Sequence, residues 1–195
     1  MEAMPDLAAA LAPALDPAPA PRPEPGDRLA AVLAVLVGAD DPALLFTERA
    51  AMLSRHAGEI SFPGGLQDPG DVDLRATAVR ETEEELGIEV APEAVLGALP
   101  SIHTYVSGIL VTPFVAVVRE LPTLVVSDAE IARVVQVSLR ELGAIEEQRV
   151  LREENGMTWR GWWYVNDDTT VWGATGAMVH ALLELVRKEA AWALT

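Results

Sequence analysis

The chain contains no cysteine in its 195 residues. That absence removes disulfides, thiolate nucleophiles and zinc–cysteine sites, and it fits a reducing cytoplasm. Long apolar runs are missing too: the longest, Leu29 to Val37, is about half of what a bilayer crossing needs. Basic residues are scarce, 14 against 30 acidic ones for a net charge of −16. None precedes Arg22, whereas a secretory signal begins with positive charge. The expectation is a soluble, cytoplasmic protein with no membrane partner. Nucleic acid is repelled by such a surface, which leaves a small molecule as the expected partner. An anionic small molecule meets the same repulsion, ~1 kcal/mol for unit charges 4 Å apart in water and about 4 kcal/mol at a protein-like dielectric. A phosphate-bearing substrate therefore needs metal ions and local arginines.

What is present is apolar enough, at 50% of residues, for one sizeable core. Residues 1–26 read as an Ala/Pro-rich extension: a short Leu/Ala run with helix character, then PAPAPRPEPG, a semi-rigid polyproline-type linker. Docking on the domain, docking on a second subunit and a disordered lead are all compatible with it. Monomer and homodimer both stay open. The globular domain is expected over 27–195. Within it, strands are predicted at Leu29–Val37, Ala43–Thr47, Val95–Pro100, Ile109–Val118, Ile131–Val137 and Thr158–Val165. On that last strand Trp159 and Trp163 share one face and Trp162 the other, with the pair expected to pack inward. Helices are predicted over Asp73–Leu86 and Gly173–Trp192. This order suggests an α/β (α+β) fold with helices on both faces of a mixed sheet.

The stretch Ser61 to Ile88, SFPGGLQDPGDVDLRATAVRETEEELGI, organises the rest. A Gly-rich turn leads into a helix on which Glu81, Glu84 and Glu85 are three or four apart, while Ala78, Val79, Thr82 and Leu86 turn elsewhere. Like charges at this spacing cost a bare helix roughly 0.2–0.5 kcal/mol per pair, only partly offset by Arg80. A hard divalent cation bound by carboxylate oxygens would account for them. A solvated acidic face is the bland alternative, and the FPGG turn at fixed spacing weighs against it.

These residues resemble the Nudix box, G-x5-E-x7-R-E-U-x-E-E-x-G-U with U aliphatic. Gly65 opens it, Asp71 stands where the first acid falls, and Arg80-Glu81-Thr82-Glu83-Glu84-Glu85-Leu86-Gly87-Ile88 closes it. The acid is Asp rather than Glu, one extra residue separates it from Arg80, and Thr82 replaces an aliphatic. A second stretch, LLFTERAAMLSRHAGEISFPGG from Leu44 to Gly65, is similar to the signature of the coenzyme A pyrophosphatase branch, with Arg49, Ala50, Leu53, His56, Gly58, Glu59 and Ser61 in register. Thr112-Pro113-Phe114-Val115, Glu130-Ile131 and Val171-Trp172-Gly173-Ala174-Thr175 extend the likeness downstream. The resemblance implies an α/β/α sandwich with a mixed sheet between helices. It also implies hydrolysis of the coenzyme A diphosphate to 3′,5′-ADP and 4′-phosphopantetheine.

Water attack on a diphosphate needs a cation, and an all-oxygen ligand set selects Mg²⁺ or Mn²⁺. Glu84 and Glu85 are assigned as principal ligands, completed by Glu81, with the Gly65 carbonyl as an extra one. Arg80 either contacts substrate phosphate or holds the glutamates by a bidentate pair, the second being favoured. Glu59 and Glu130 are the candidate general bases, though a metal-activated water needs no separate base. Arg49, Arg55 and His56 are the cations nearest the glycine turn for the substrate phosphates, and Gly64 lets backbone approach the diphosphate. Two other readings compete. A Nudix hydrolase for another dinucleotide, such as NADH or ADP-ribose, shares the box but lacks the Leu44–Gly65 signature. A module that only senses a nucleotide has no need to keep a repulsive cluster.

Overall fold

The computed structural model describes residues 6–50, 58–104, 108–121, 123–127, 129–154, 157–167 and 169–195. The chain begins with a short helix, α1 (Leu7–Leu11), capped by the Asp6 carboxylate. After an extended stretch comes β1 (Arg28–Val37), the apolar run, followed by β2 (Ala43–Arg49), β3 (Ile60–Ser61) and β4 (Gly64–Leu66). The helix α2 (Leu74–Leu86) is next, then β5 (Val95–Ala98), β6 (Ile102–Thr104), β7 (Ile109–Val118) and β8 (Ile131–Ser138). The remainder is α3 (Leu139–Ile145), β9 (Glu146–Glu154), β10 (Met157–Val165), β11 (Thr170–Val171) and α4 (Gly173–Glu189). Among the described residues no helix is long and apolar enough to cross a membrane.

β1 lies at the centre of an eight-stranded mixed sheet. It pairs in parallel with β7 along its whole length, and antiparallel with β4 at one end and β2 at the other. Because successive side chains on a strand point to opposite faces, β1 feeds two cores. Ala30, Ala34 and Leu36 join Met178, Leu182 and Val186 of α4 and Leu7 and Leu11 of α1. Ala31, Leu33, Val35 and Val37 join Leu74, Ala78 and Leu86 of α2. The expected sheet between helices is therefore the observed architecture. The near-continuous apolar run is what a strand covered on both faces requires.

The N-terminal stretch packs on the domain. Leu7, Leu11 and Leu15 are 4%, 0% and 5% exposed. Asp16 exchanges two backbone hydrogen bonds with Ala98, at 3.0 and 2.8 Å. From Pro17 to Gly26 there is neither helix nor strand.

A second sheet, β11-β10-β9, was only half anticipated: β9 is charged at most positions and carries no strand pattern. One of its faces closes on α4. Trp162 stacks on His180 at 3.7 Å, and the Trp162 carbonyl lies 2.3 Å from where a Cβ on Gly176 would sit, so helix and strand touch backbone to backbone. Glu146 ties this contact together, accepting from Tyr164 Oη at 2.7 Å and Arg187 at 2.7 Å, with His180 Nδ1 at 3.0 Å. Trp159 and Trp163 thus face away from α4, under Arg152 and Arg149, and Trp162 is the inward indole. This reverses the expected orientation. The buried face is selected by the Glu146–Tyr164 pair, whose parity with Trp162 outweighs the larger count of indoles on the other side. His103 lies in β6 with Nδ1 3.3 Å from Asp27.

Candidate active site

The Gly-rich turn and α2 meet where the box predicts. Asp73 caps the helix by accepting from the Ala76 N–H at 2.8 Å, and Gly87 ends it in the left-handed region at φ 66°. Thr82, in the place of an aliphatic, is buried and donates to the Ala78 carbonyl at 2.7 Å, so its hydroxyl is satisfied without leaving the core. The turn is held against β1 by pairing of Gly64 with Val32 and Gly65 with Ala31. A Cβ on Gly65 would fall 2.4–2.5 Å from the Glu81 carboxylate. Only glycine permits that approach of backbone to carboxylate.

The three glutamates sit at different depths. Glu85 is 3% exposed, Glu81 half-buried and Glu84 exposed. Burial pushes the Glu85 pKa up to about 7, against a partial pull from the Arg49 charge and the Gly64 N–H. Glu81 and Glu130 push it the same way as burial. Its Oε2 is the one buried side-chain polar atom without a hydrogen-bond partner among the described residues. Burial likewise raises the Glu81 pKa, opposed by Arg80. Among the described residues no three acidic or histidine side chains are gathered tightly around one point. The cation found between Glu81 and Glu84 is the Arg80 guanidinium, with Nη1 at 2.9 and 3.1 Å from their oxygens.

Arg80 makes its bidentate pair with a different residue. Nε and Nη2 donate to the two oxygens of Asp71 at 2.9 and 3.0 Å, and Nη2 also reaches the Leu66 carbonyl at 3.3 Å. Asp71 accepts further from the Asp68 N–H and the Thr77 hydroxyl, both at 2.9 Å. The Arg80 hydrogen bonds hold its carboxyl well below the usual carboxylate range. The extra residue between Asp71 and Arg80 does not part the two side chains, which still form the pair. Arg80 therefore spans the box from its loop acid to its helix acids. Asp71→Asn should destabilise the fold by about 2 kcal/mol, the usual loss for a charge-assisted pair, and lower turnover about tenfold by releasing Arg80. Urea unfolding and initial rates at pH 7 check both, and a variant matching the parent in each would remove Asp71 from the site.

Around this centre, the Arg49 N–H donates to the Glu59 carbonyl at 3.1 Å and the Ala50 N–H to the Glu130 carbonyl at 2.8 Å. The Ser127 N–H donates to the Glu85 backbone carbonyl at 2.9 Å. These bonds bring the end of β2, the residue before β3 and the segment before β8 to the last turn of α2. Glu130 is exposed and close enough to Glu81 and Glu85 to raise both pKa values; Glu59 is half-buried. Glu83 points to solvent. Arg55 and His56 lie outside the described residues. The oxygen-only donors, with one buried carboxylate oxygen lacking a hydrogen bond, suit a hard divalent cation.

Residues 27–159 match the NUDIX domain family model. The uncharacterized Nudix hydrolase NudL of Photorhabdus laumondii is 36% identical over 162 residues, 83% of this chain and 86% of that protein. NudL of Yersinia pestis is 36% identical over 163 residues, 82% and 80% of the two chains. In fold, the chain resembles a MutT/nudix family protein from Enterococcus faecalis, with a TM-score of 0.60 at 16% identity over 87% of this chain and 66% of that one. It also resembles the NUDIX domain of Shewanella oneidensis NrtR, solved with ADP ribose, with a TM-score of 0.55 at 14% identity over 84% and 88%. Box, fold and relatives agree: the chain belongs to the Nudix family and is a Nudix hydrolase.

Proposed function

We propose that this hydrolase cleaves the diphosphate of coenzyme A and its derivatives, yielding 3′,5′-ADP and 4′-phosphopantetheine, in the cytoplasm. The observation that carries the substrate is the Leu44–Gly65 signature, whose described residues lie in β2, β3 and the glycine turn beside the carboxylates of α2. Glu81, Glu84, Glu85 and the Gly65 carbonyl are the groups that would hold Mg²⁺ or Mn²⁺. The ion supplies charge neutralisation at the diphosphate and a more acidic water. Arg80 keeps Glu81 and Glu84 oriented, itself anchored by Asp71. Arg49, with Arg55 and His56, neutralises substrate phosphates. Gly64 brings main chain close to the diphosphate. In the reaction a water oxygen forms a bond to one phosphorus, the bridging P–O bond breaks, and the water proton passes to Glu59 or Glu130.

The second reading is hydrolysis of another dinucleotide, favoured by the likeness in fold to a NUDIX domain that binds ADP ribose. A panel of coenzyme A, dephospho-coenzyme A, NADH and ADP-ribose, incubated with Mg²⁺ or Mn²⁺ and read by mass, decides between them. Coenzyme A should be preferred by at least about tenfold in kcat/KM, with 3′,5′-ADP among the products. Preference for NADH or ADP-ribose would move the protein to the other branch.

A further inference from the structure

The face of the β9–β10 hairpin turned away from α4 carries a row of aromatic and cationic groups. Arg152 lies 5.8 Å over the Trp159 ring and Arg149 5.6 Å over the Trp163 ring. Trp172, the residue before α4, stacks on Trp163 at 6.2 Å and 16°. It is 46% exposed. Its side chain makes no hydrogen bond to the helix start, so neither helix capping nor core packing explains an indole there. Leu151 and Val165 of the same hairpin are also exposed, at 53% and 42%. The row ends next to the catalytic centre, because β11, which runs into Trp172, packs against β3, whose Ser61 opens the SFPGG turn.

We propose that Trp172, backed by Trp163, is the stacking platform for the adenine ring of the substrate, with Arg149, which lies over Trp163 and donates to Glu147, as the guanidinium nearest the phosphate on its ribose. This rests on the reading of the substrate as an adenine-nucleotide diphosphate and adds where its nucleoside end is held. A flat ring stacks on an indole, and guanidinium groups suit a phosphate. The hairpin as a whole carries four acidic residues, Glu146, Glu147, Glu153 and Glu154, against Arg149, Arg152 and Arg160, so the phosphate meets a local guanidinium and not a basic surface. A second copy fits less well. Two strands of nine residues make a ribbon about 30 Å long and only two strands wide, short of the ~800 Å² per partner of a stable dimer.

The test is binding of 3′,5′-ADP, AMP and 4′-phosphopantetheine to the full chain, by calorimetry and by tryptophan fluorescence, for the parent, Trp172→Leu and Trp172→Phe. Circular dichroism and melting confirm that each variant is folded. The parent should bind 3′,5′-ADP with quenched fluorescence. Trp172→Leu should weaken both adenine nucleotides by about tenfold and Trp172→Phe by no more than about threefold, with 4′-phosphopantetheine unchanged in both. In turnover, KM should rise in Trp172→Leu with kcat held. Equal binding by parent and Trp172→Leu overturns the platform, as does an equal loss for 4′-phosphopantetheine, or a parent that binds neither nucleotide. A concentration-dependent dimer lost in Trp172→Leu, with nucleotide binding intact, overturns it in favour of a second copy. The specificity reading fails separately: if coenzyme A is not hydrolysed yet AMP binding depends on Trp172, the platform stands and the substrate assignment falls.

Discussion

Replacing Glu85 with glutamine should abolish hydrolysis and stabilise the metal-free protein at neutral pH. The two effects have one cause. Glu85 is 3% exposed, its Oε2 lacks any hydrogen bond, and burial lifts its pKa from 4.5 to about 7. Between those values the folded state keeps a proton that the unfolded chain has lost, so stability falls as pH rises through that window. The total change is about 3 kcal/mol. In chelator, the parent should therefore melt at a higher temperature at pH 5 than at pH 8, while Glu85→Gln should show a much flatter profile. Near pH 8 the variant should melt at least about 3 °C above the parent. With Mg²⁺ its kcat should fall roughly a thousandfold, the order expected for losing a contact worth several kcal/mol at the reacting centre. A variant that turns over within tenfold of the parent would show that the buried carboxylate is not a ligand.

Leu11→Ala should lower stability by about 3 kcal/mol, within the usual range for emptying a buried leucine site, although it lies outside the matched family region. Leu11 is 0% exposed and shares one core with Leu7, Leu15 and residues of α4. Spread over a chain of 195 residues, such a loss corresponds to about 6–12 °C in Tm. Ala9→Ser, at an exposed position of the same helix, should change Tm by less than about 2 °C. A chain cut at Asp27, where the family match begins, should lose more than Leu11→Ala, because the contacts of Leu7, Leu15 and Asp16 go with it. Thermal unfolding of the four proteins settles this. Equal melting of Leu11→Ala and the parent would mean that the segment does not dock in solution.

Much of the candidate site was legible because the box is local. Gly87, the spacing of Glu81, Glu84 and Glu85, and the two glycines act within a few residues of one another, and turn chemistry and helical period fix them. Asp71 was harder. One extra residue before Arg80 breaks a spacing pattern, yet in space the Asp71 carboxylate still meets Arg80. β9 was missed because a strand lying mostly in solvent has no apolar alternation to read. The indoles of β10 were assigned to the wrong faces because hydrophobicity was weighed without Glu146, a partner that becomes a neighbour only through β9 pairing and α4 packing.

The amino-acid order alone determined the family, the buried central strand, the helix that carries the glutamates with its stop at Gly87, and the acids on offer to a divalent ion. All of these depend on contacts between residues close in the chain or on the period of a single element. Only the folded arrangement decided which glutamate is buried, where Arg80 makes its paired hydrogen bonds, whether the N-terminal leucines enter the core, and which indoles face outward. Those outcomes depend on desolvation and on partners brought together from distant segments, and neither is written into any one stretch of sequence.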